Sequence, residues 1–135
     1  MENLNKESIN KILGTVVFDK AFYFYEDIGK PTGDFAVSLS DFCNKINKVD
    51  PKSLTFHLQR GDFENWVRDI IGDAELSNKM ARLKAQKRAL KDNSIMREKI
   101  HAAVTDRIMT LQDMWQQALK WPQTEDNPLR LSRLR

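Results

Sequence analysis

One cysteine, Cys43, stands in 135 residues, so an intrachain disulfide is excluded and so is any site built on paired cysteines. No apolar stretch nears the ~18 residues of a membrane span, and Asp19 and Lys20 interrupt the one candidate. The start, Met1 to Lys6, lacks the apolar run of a signal peptide. These absences predict a cytoplasmic setting and no membrane partner. Also missing are a glycine-rich phosphate loop, a His-Glu-x-x-His pair and a Gly-x-Ser-x-Gly elbow. The two histidines, His57 and His101, do not specify a metal. The sequence therefore predicts no enzyme, no cofactor and no metal.

What is present describes one globular domain. Hydrophobic residues make up 41% and charged residues 30%, which excludes a disordered chain. The length suits a single core without staples. Charge is uneven. The net +3 conceals an acidic first part and a basic segment over 79–99. That segment carries Lys79, Arg82, Lys84, Lys87, Arg88, Lys91, Arg97 and Lys99 against only Asp92 and Glu98. Such density suits an acidic protein face or a nucleic acid, and it also suits a merely solvated helix face.

Ile9, Ile12, Leu13, Val16 and Val17 recur at helical spacing and predict a helix over about 5–17, weakened or ended by Gly14. Ala21 to Tyr25 predicts a strand, with Phe22 and Phe24 on one face and the tyrosines on the other. Gly29, Pro31 and Gly33 predict a loop over Glu26–Gly33, and Asp34 to Ser38 a returning strand. Ser40 is the expected cap of a helix carrying Leu39, Phe42, Cys43 and Ile46. Asp50-Pro51 opens a short helix through Leu54 and Leu58 that stops at Gly61. Phe63, Trp66, Val67 and Ile70 mark the next, which stops at Gly72.

The dipeptide Gly-Asp thus occurs at two helix ends. Glycine accepts the left-handed conformation that stops one helix, and aspartate is expected to cap the next, as Asp62 and as Asp73. Beyond Asp73, Leu76, Met80, Leu83 and Leu90 form one stripe. Ile100, Val104, Ile108, Leu111, Trp115 and Ala118 form another. Asp92-Asn93-Ser94 reads as the break between them, with Ser94 as cap, and Pro122 as the end. One continuous helix through Asp92 is the alternative.

Among candidate contacts, Lys84, Arg88 and Lys91 share one helical flank, and Lys87 lies inside the apolar stripe. Arg107 lies inside the stripe of the following helix, there to snorkel or to meet carboxylates of a partner. His57 at an apolar edge reads as a packed, hydrogen-bonded histidine, and alternatively as an anion or substrate contact with Arg60, within a small-ligand or enzymatic site that Asp62 and Arg68 would share should they line a cleft. His101 reads as solvated and Cys43 as a buried thiol. The triplet Arg60-Gly61-Asp62 spells an integrin tripeptide, but both its ends have structural duties.

Phe56, His57, Asp62, Phe63, Trp66, Val67, Arg68, Asp69, Gly72 and Asp73 fall in a Phe-His…Asp-Phe-x-x-Trp-Val-Arg-Asp-x-x-Gly-Asp pattern. In this the chain resembles a family of small, uncharacterised prokaryotic domains common in archaea. The resemblance implies one helix-dominated domain and brings no catalytic residue.

The expected fold is mainly α with a small β-hairpin. Residues 1–38 form a helix and hairpin, 39–72 a compact cluster of short helices, and 73–121 a long helical hairpin, followed by a flexible tail over 122–135. The expected role is a non-enzymatic binding or regulatory module, homodimerising through its long C-terminal helices. The alternative is nucleic-acid binding through Lys84, Lys87, Arg88 and Lys91.

Overall fold

The computed structural model describes residues 4–86, 88 and 90–120. Lys87 and the 122–135 tail lie outside the described residues. Helix α1 spans Lys6–Leu13 and is capped by Asn5, whose Oδ1 accepts from the Ser8 amide at 2.8 Å. It ends at Gly14, short of the expected 17. The reason is a competing bond, because the Val16 amide donates to the Val37 carbonyl at 2.8 Å. One 3-10 turn, Phe18–Lys20, leads into the hairpin.

Strands β1 (Phe22–Asp27) and β2 (Lys30–Ala36) pair antiparallel, with Phe22 opposite Ala36 and Tyr25 opposite Pro31. The connection is only Ile28-Gly29, with Gly29 at φ +72°, so the longer loop expected over 26–33 is corrected. A two-stranded sheet consists of edge strands, which tolerate the proline that reads as a breaker. Phe22 and Phe24 point into the core and Tyr23 points out, as the alternation predicts.

Helix α2 (Leu39–Ile46) is capped by Ser38, not Ser40. The Ser38 hydroxyl accepts from the Asp41 amide, and Asp41 Oδ2 accepts in return from the Val37 amide, which makes a reciprocal capping pair. Helix α3 (Pro51–Arg60) starts as expected, with Asp50 accepting from the Lys52 amide. Helix α4 (Asp62–Trp66) continues into one wide π turn over Val67–Ile71. Gly61 and Gly72 stop these helices at φ +78° and +88°. The two aspartates, however, cap nothing through their side chains. Asp62 turns back onto α3, and Asp73 turns across to the last helix. A cation within reach outcompetes the free amides, since ionic hydrogen bonds are the stronger kind.

Helices α5 (Ala74–Ala85) and α6 (Asn93–Lys120) confirm two helices instead of one. The cap of α6 is Asp92, whose Oδ1 accepts from the Ser94 and Ile95 amides, with the Ser94 hydroxyl donating to it. Helix α6 packs on α1, α2 and α5. It buries Met96, Ile100, Val104 and Leu111 against this chain's own core, while Ile108, Trp115 and Ala118 of its stripe stay partly exposed. Phe22 is the hub of that core, with the rings of Phe24, Phe42, Phe63 and Trp66 at 4.9, 5.6, 5.2 and 5.6 Å.

Arg107 finds its carboxylate within the chain. Its Nε and Nη2 donate to Asp73 Oδ2 and Oδ1 at 2.7 and 2.9 Å, with both side chains buried. Removing one member of such a pair strands the other in a low dielectric, whereas replacing both with apolar groups does not. Asp73→Leu or Arg107→Met alone should therefore lose about 3–5 kcal/mol of stability. The double variant should recover most of it. Urea denaturation of the three variants checks this.

Candidate functional site

The site begins with the packing of α3 against β1. That packing brings the His57 ring beside Phe22, Phe56 and Phe63, with centroids at 4.7, 5.0 and 5.6 Å. Both ring nitrogens are engaged. The Tyr25 amide donates to His57 Nε2 at 2.8 Å, so Nε2 is bare and the proton resides on Nδ1. His57 Nδ1 then donates to Asp62 Oδ2, also at 2.8 Å. Gly61 makes this possible, because its left-handed turn folds Asp62 back over the end of α3.

Asp62 Oδ2 also accepts from Arg60 Nε at 3.0 Å. The Arg60 guanidinium lies over the Phe56 ring, 4.7 Å from its centroid. Among the described residues no protein group bonds Asp62 Oδ1 or the two Arg60 Nη groups. Arg60 and Asp62 line a cleft of about 590 Å³ between the hairpin turn and the α3–α4 elbow. Tyr23, Tyr25 and Ile28 line it from the hairpin, and Phe56, Asn65 and Trp66 from the helices. Trp66 is fixed from behind by a bond from its indole Nε1 to the Lys20 carbonyl at 2.8 Å.

The structure thus gathers His57, Arg60 and Asp62 but leaves Arg68 outside. Arg68 bonds Asp69 at 3.0 and 3.2 Å and reaches the cleft only through Asn65, whose Oδ1 accepts from it at 3.0 Å. Tyr25, Phe56 and Asn65 belong to the site although none was a candidate contact; Phe56 was marked only by the Phe-His pattern and Tyr25 only by the strand's alternation. The available signal for Tyr25 was the polar face of the strand, which here walls a cleft.

The basic flank is corrected. Helix α5 ends at Ala85, so Arg88 and Lys91 lie exposed in the connection to α6 and share no helical face with Lys84. Leu90 is buried, and it pulls the connection down onto the core. Lys84 and Lys91 border a smaller cleft of about 260 Å³ with Gln59 and Asn93, and Lys84 Nζ stands 3.9 Å from Glu64. His101 and Cys43 are half-buried on either side of Thr105, whose hydroxyl is 3.5 Å from His101 Nδ1 and 3.2 Å from Cys43 Sγ. Among the described residues no helix is long and apolar enough to cross a membrane, and no group of three His, Cys, Asp or Glu side chains could hold a metal ion. Comparisons of the chain with protein-family models, curated proteins and solved structures find no match.

Chemically, His57 is a strut. A general base needs a free nitrogen within reach of a substrate, and neither nitrogen is free. Burial holds its pKa below the ordinary 6.5, against the opposite pull of the Asp62 carboxylate. The unfolded chain therefore takes up the proton first. This group's stabilisation is complete above about pH 6.5 and is lost as pH falls below that value toward the lower folded-state pKa. Urea midpoints should drop between about pH 7.5 and about pH 5.5. A His57→Gln variant, less stable at the upper pH, should show a flatter profile over the same window.

Proposed function

We propose that the chain is a recognition module that captures a small ligand in the cleft between hairpin and α3–α4 elbow, without transforming it. The observation that carries this reading is the combination of open and closed atoms. The imidazole, the one group suited to acid–base work near neutral pH, is locked at both nitrogens. Beside it, Asp62, Arg60 and Asn65 line an aromatic-walled space, and among the described residues nothing bonds Asp62 Oδ1, the Arg60 Nη groups or Asn65 Nδ2. A concave apolar lining with a few convergent polar groups is the usual make-up of a binding site, and about 590 Å³ suits a small molecule. The cytoplasmic setting remains part of this reading, supported by the lone free thiol of Cys43.

The cleft is a better candidate than the other two surfaces. The apolar stripes that suggested a dimer are largely spent on this chain's own core. Of the basic residues that suggested nucleic acid, Lys84 lies at a helix end and Arg88 and Lys91 in a connection. Lys84 and Lys91 border the smaller cleft, about 260 Å³ against about 590 Å³, and that cleft has no aromatic wall.

A chemically mixed fragment library, screened by amide and indole NMR shifts on the whole chain, tests the reading. Hits should cluster at Tyr23, Tyr25, Asn65 and the Trp66 indole. An Arg60→Ala/Asn65→Ala variant, altered only at exposed positions, should keep its melting temperature within a few degrees. It should weaken those hits by about tenfold or more. Hits scattered over the surface, or unaffected by the variant, would reject the cleft.

A further inference from the structure

The chemistry of the cleft wall narrows the ligand, on the premise that the cleft is the binding site. Three features bear on it. The first is charge. Arg60 and Asp62 line the cleft as a pair, and the bond that His57 Nε2 accepts from the Tyr25 amide leaves the imidazole neutral. A phosphate or carboxylate drawn to the guanidinium would meet the Asp62 carboxylate. A cation drawn to Asp62 would meet the guanidinium. The balance favours a ligand without net charge.

The second feature is the alternation of donors and acceptors. Arg60 Nη and Asn65 Nδ2 donate, and Asp62 Oδ1 only accepts. A ligand hydroxyl does both at once, so two neighbouring hydroxyls satisfy such a row without leaving a buried polar atom unpaired. The polar groups also come from both walls, since Tyr25 stands on the hairpin opposite the helical set. A flat heterocycle presents its polar atoms at its edge, in fixed donor or acceptor roles. A sugar ring carries interchangeable hydroxyls around its whole rim.

The third feature is Tyr25 itself. Phe22, Tyr23, Phe56 and Trp66, the other aromatics of the cleft, each touch another ring. Among the described residues Tyr25 touches none, and no group bonds its hydroxyl. The bond from its amide to His57 fixes the backbone from which the ring projects. The ring is an amphipathic surface with no ring partner among the described residues, and the apolar C–H face of a sugar is a natural complement to it.

We infer that the cleft binds a neutral glycoside. Its hydroxyl rim is shared among Arg60, Asp62 and Asn65, and its C–H face lies on Tyr25. The whole chain is titrated with methyl α-glucopyranoside, methyl β-galactopyranoside, maltose and cellobiose, followed by amide and indole shifts. Adenine and glucose 6-phosphate are titrated in parallel. The expected result is saturable, millimolar binding of at least one neutral sugar, with shifts at Tyr25, Asn65 and Trp66. Glucose 6-phosphate should bind more weakly than the neutral sugars. Tyr25→Ala should reduce affinity by about tenfold or more, and Asn65→Ala, at an exposed position, provides a second reading should the first variant lose its fold. Saturable binding of adenine or of the phosphate in preference to every sugar would overturn the glycoside and leave the cleft standing. Absence of any sugar binding, with library fragments still seated there, would do the same. A cleft silent to every probe would end both readings.

Discussion

An isolated two-stranded hairpin is at best marginal in water, so the wall formed by β1 and β2 depends on what holds it. That hold is the pair of bonds at His57. Its Nε2 gives the Tyr25 amide an acceptor at the point where β1 faces α3 instead of another strand. Its Nδ1 proton is claimed by Asp62, which selects the tautomer that leaves Nε2 bare. Surrounding rings exclude water from the imidazole, and this is also why burial outweighs the carboxylate in setting its pKa. Strut, tautomer and aromatic packing are one arrangement, and the cleft is the space left beside it.

Gly-Asp is used twice, with different outcomes. At both positions glycine supplies the positive φ that stops a helix. Beside Gly72, Lys11 Nζ donates to the Ile71 carbonyl at 3.3 Å. The aspartates then part. Asp62 remains partly exposed and shares one oxygen between His57 and Arg60, keeping the other for the cleft. Asp73 is sealed in the interior and gives both oxygens to Arg107. Position relative to the core decides which carboxylate can meet a ligand.

Much of the fold was legible because it rests on local signals. Phe22 and Phe24 alternate with tyrosines, Asp50-Pro51 opens α3, and Gly61 and Gly72 close helices. The errors fall where a distant partner overrides the local pattern. Nothing near Ala85 marks the end of α5; it follows from Leu90 reaching the core and Asp92 capping α6. Nothing near Asp73 announces Arg107, 34 residues away. The hairpin turn was hidden by Pro31 and Gly33, residues that break a central strand but not an edge one. His57, Arg60 and Asp62 lie within six residues and could be grouped by eye. Tyr25 could not, because its role is carried by a backbone amide that no side-chain pattern encodes.

Helix α6 never reaches the cleft, yet it bears on it. Its apolar stripe supplies adhesion to α1, α2 and α5 but leaves its register loosely set, since a stripe slipped by one turn would still bury apolar area. Polar ties along its length remove that freedom. Arg97 donates to the Ile46 carbonyl at 2.7 Å, Thr105 meets Cys43, and Arg107 takes Asp73. Together these ties favour a single alignment of the helix. Asp73 is the first residue after the turn that closes α4 and its π extension. Fixing it fixes the far end of the segment whose near end carries Asp62, Asn65 and Trp66. The interior pair therefore acts on the cleft through the backbone between 62 and 73, and the two Gly-Asp corners work as the two ends of one support.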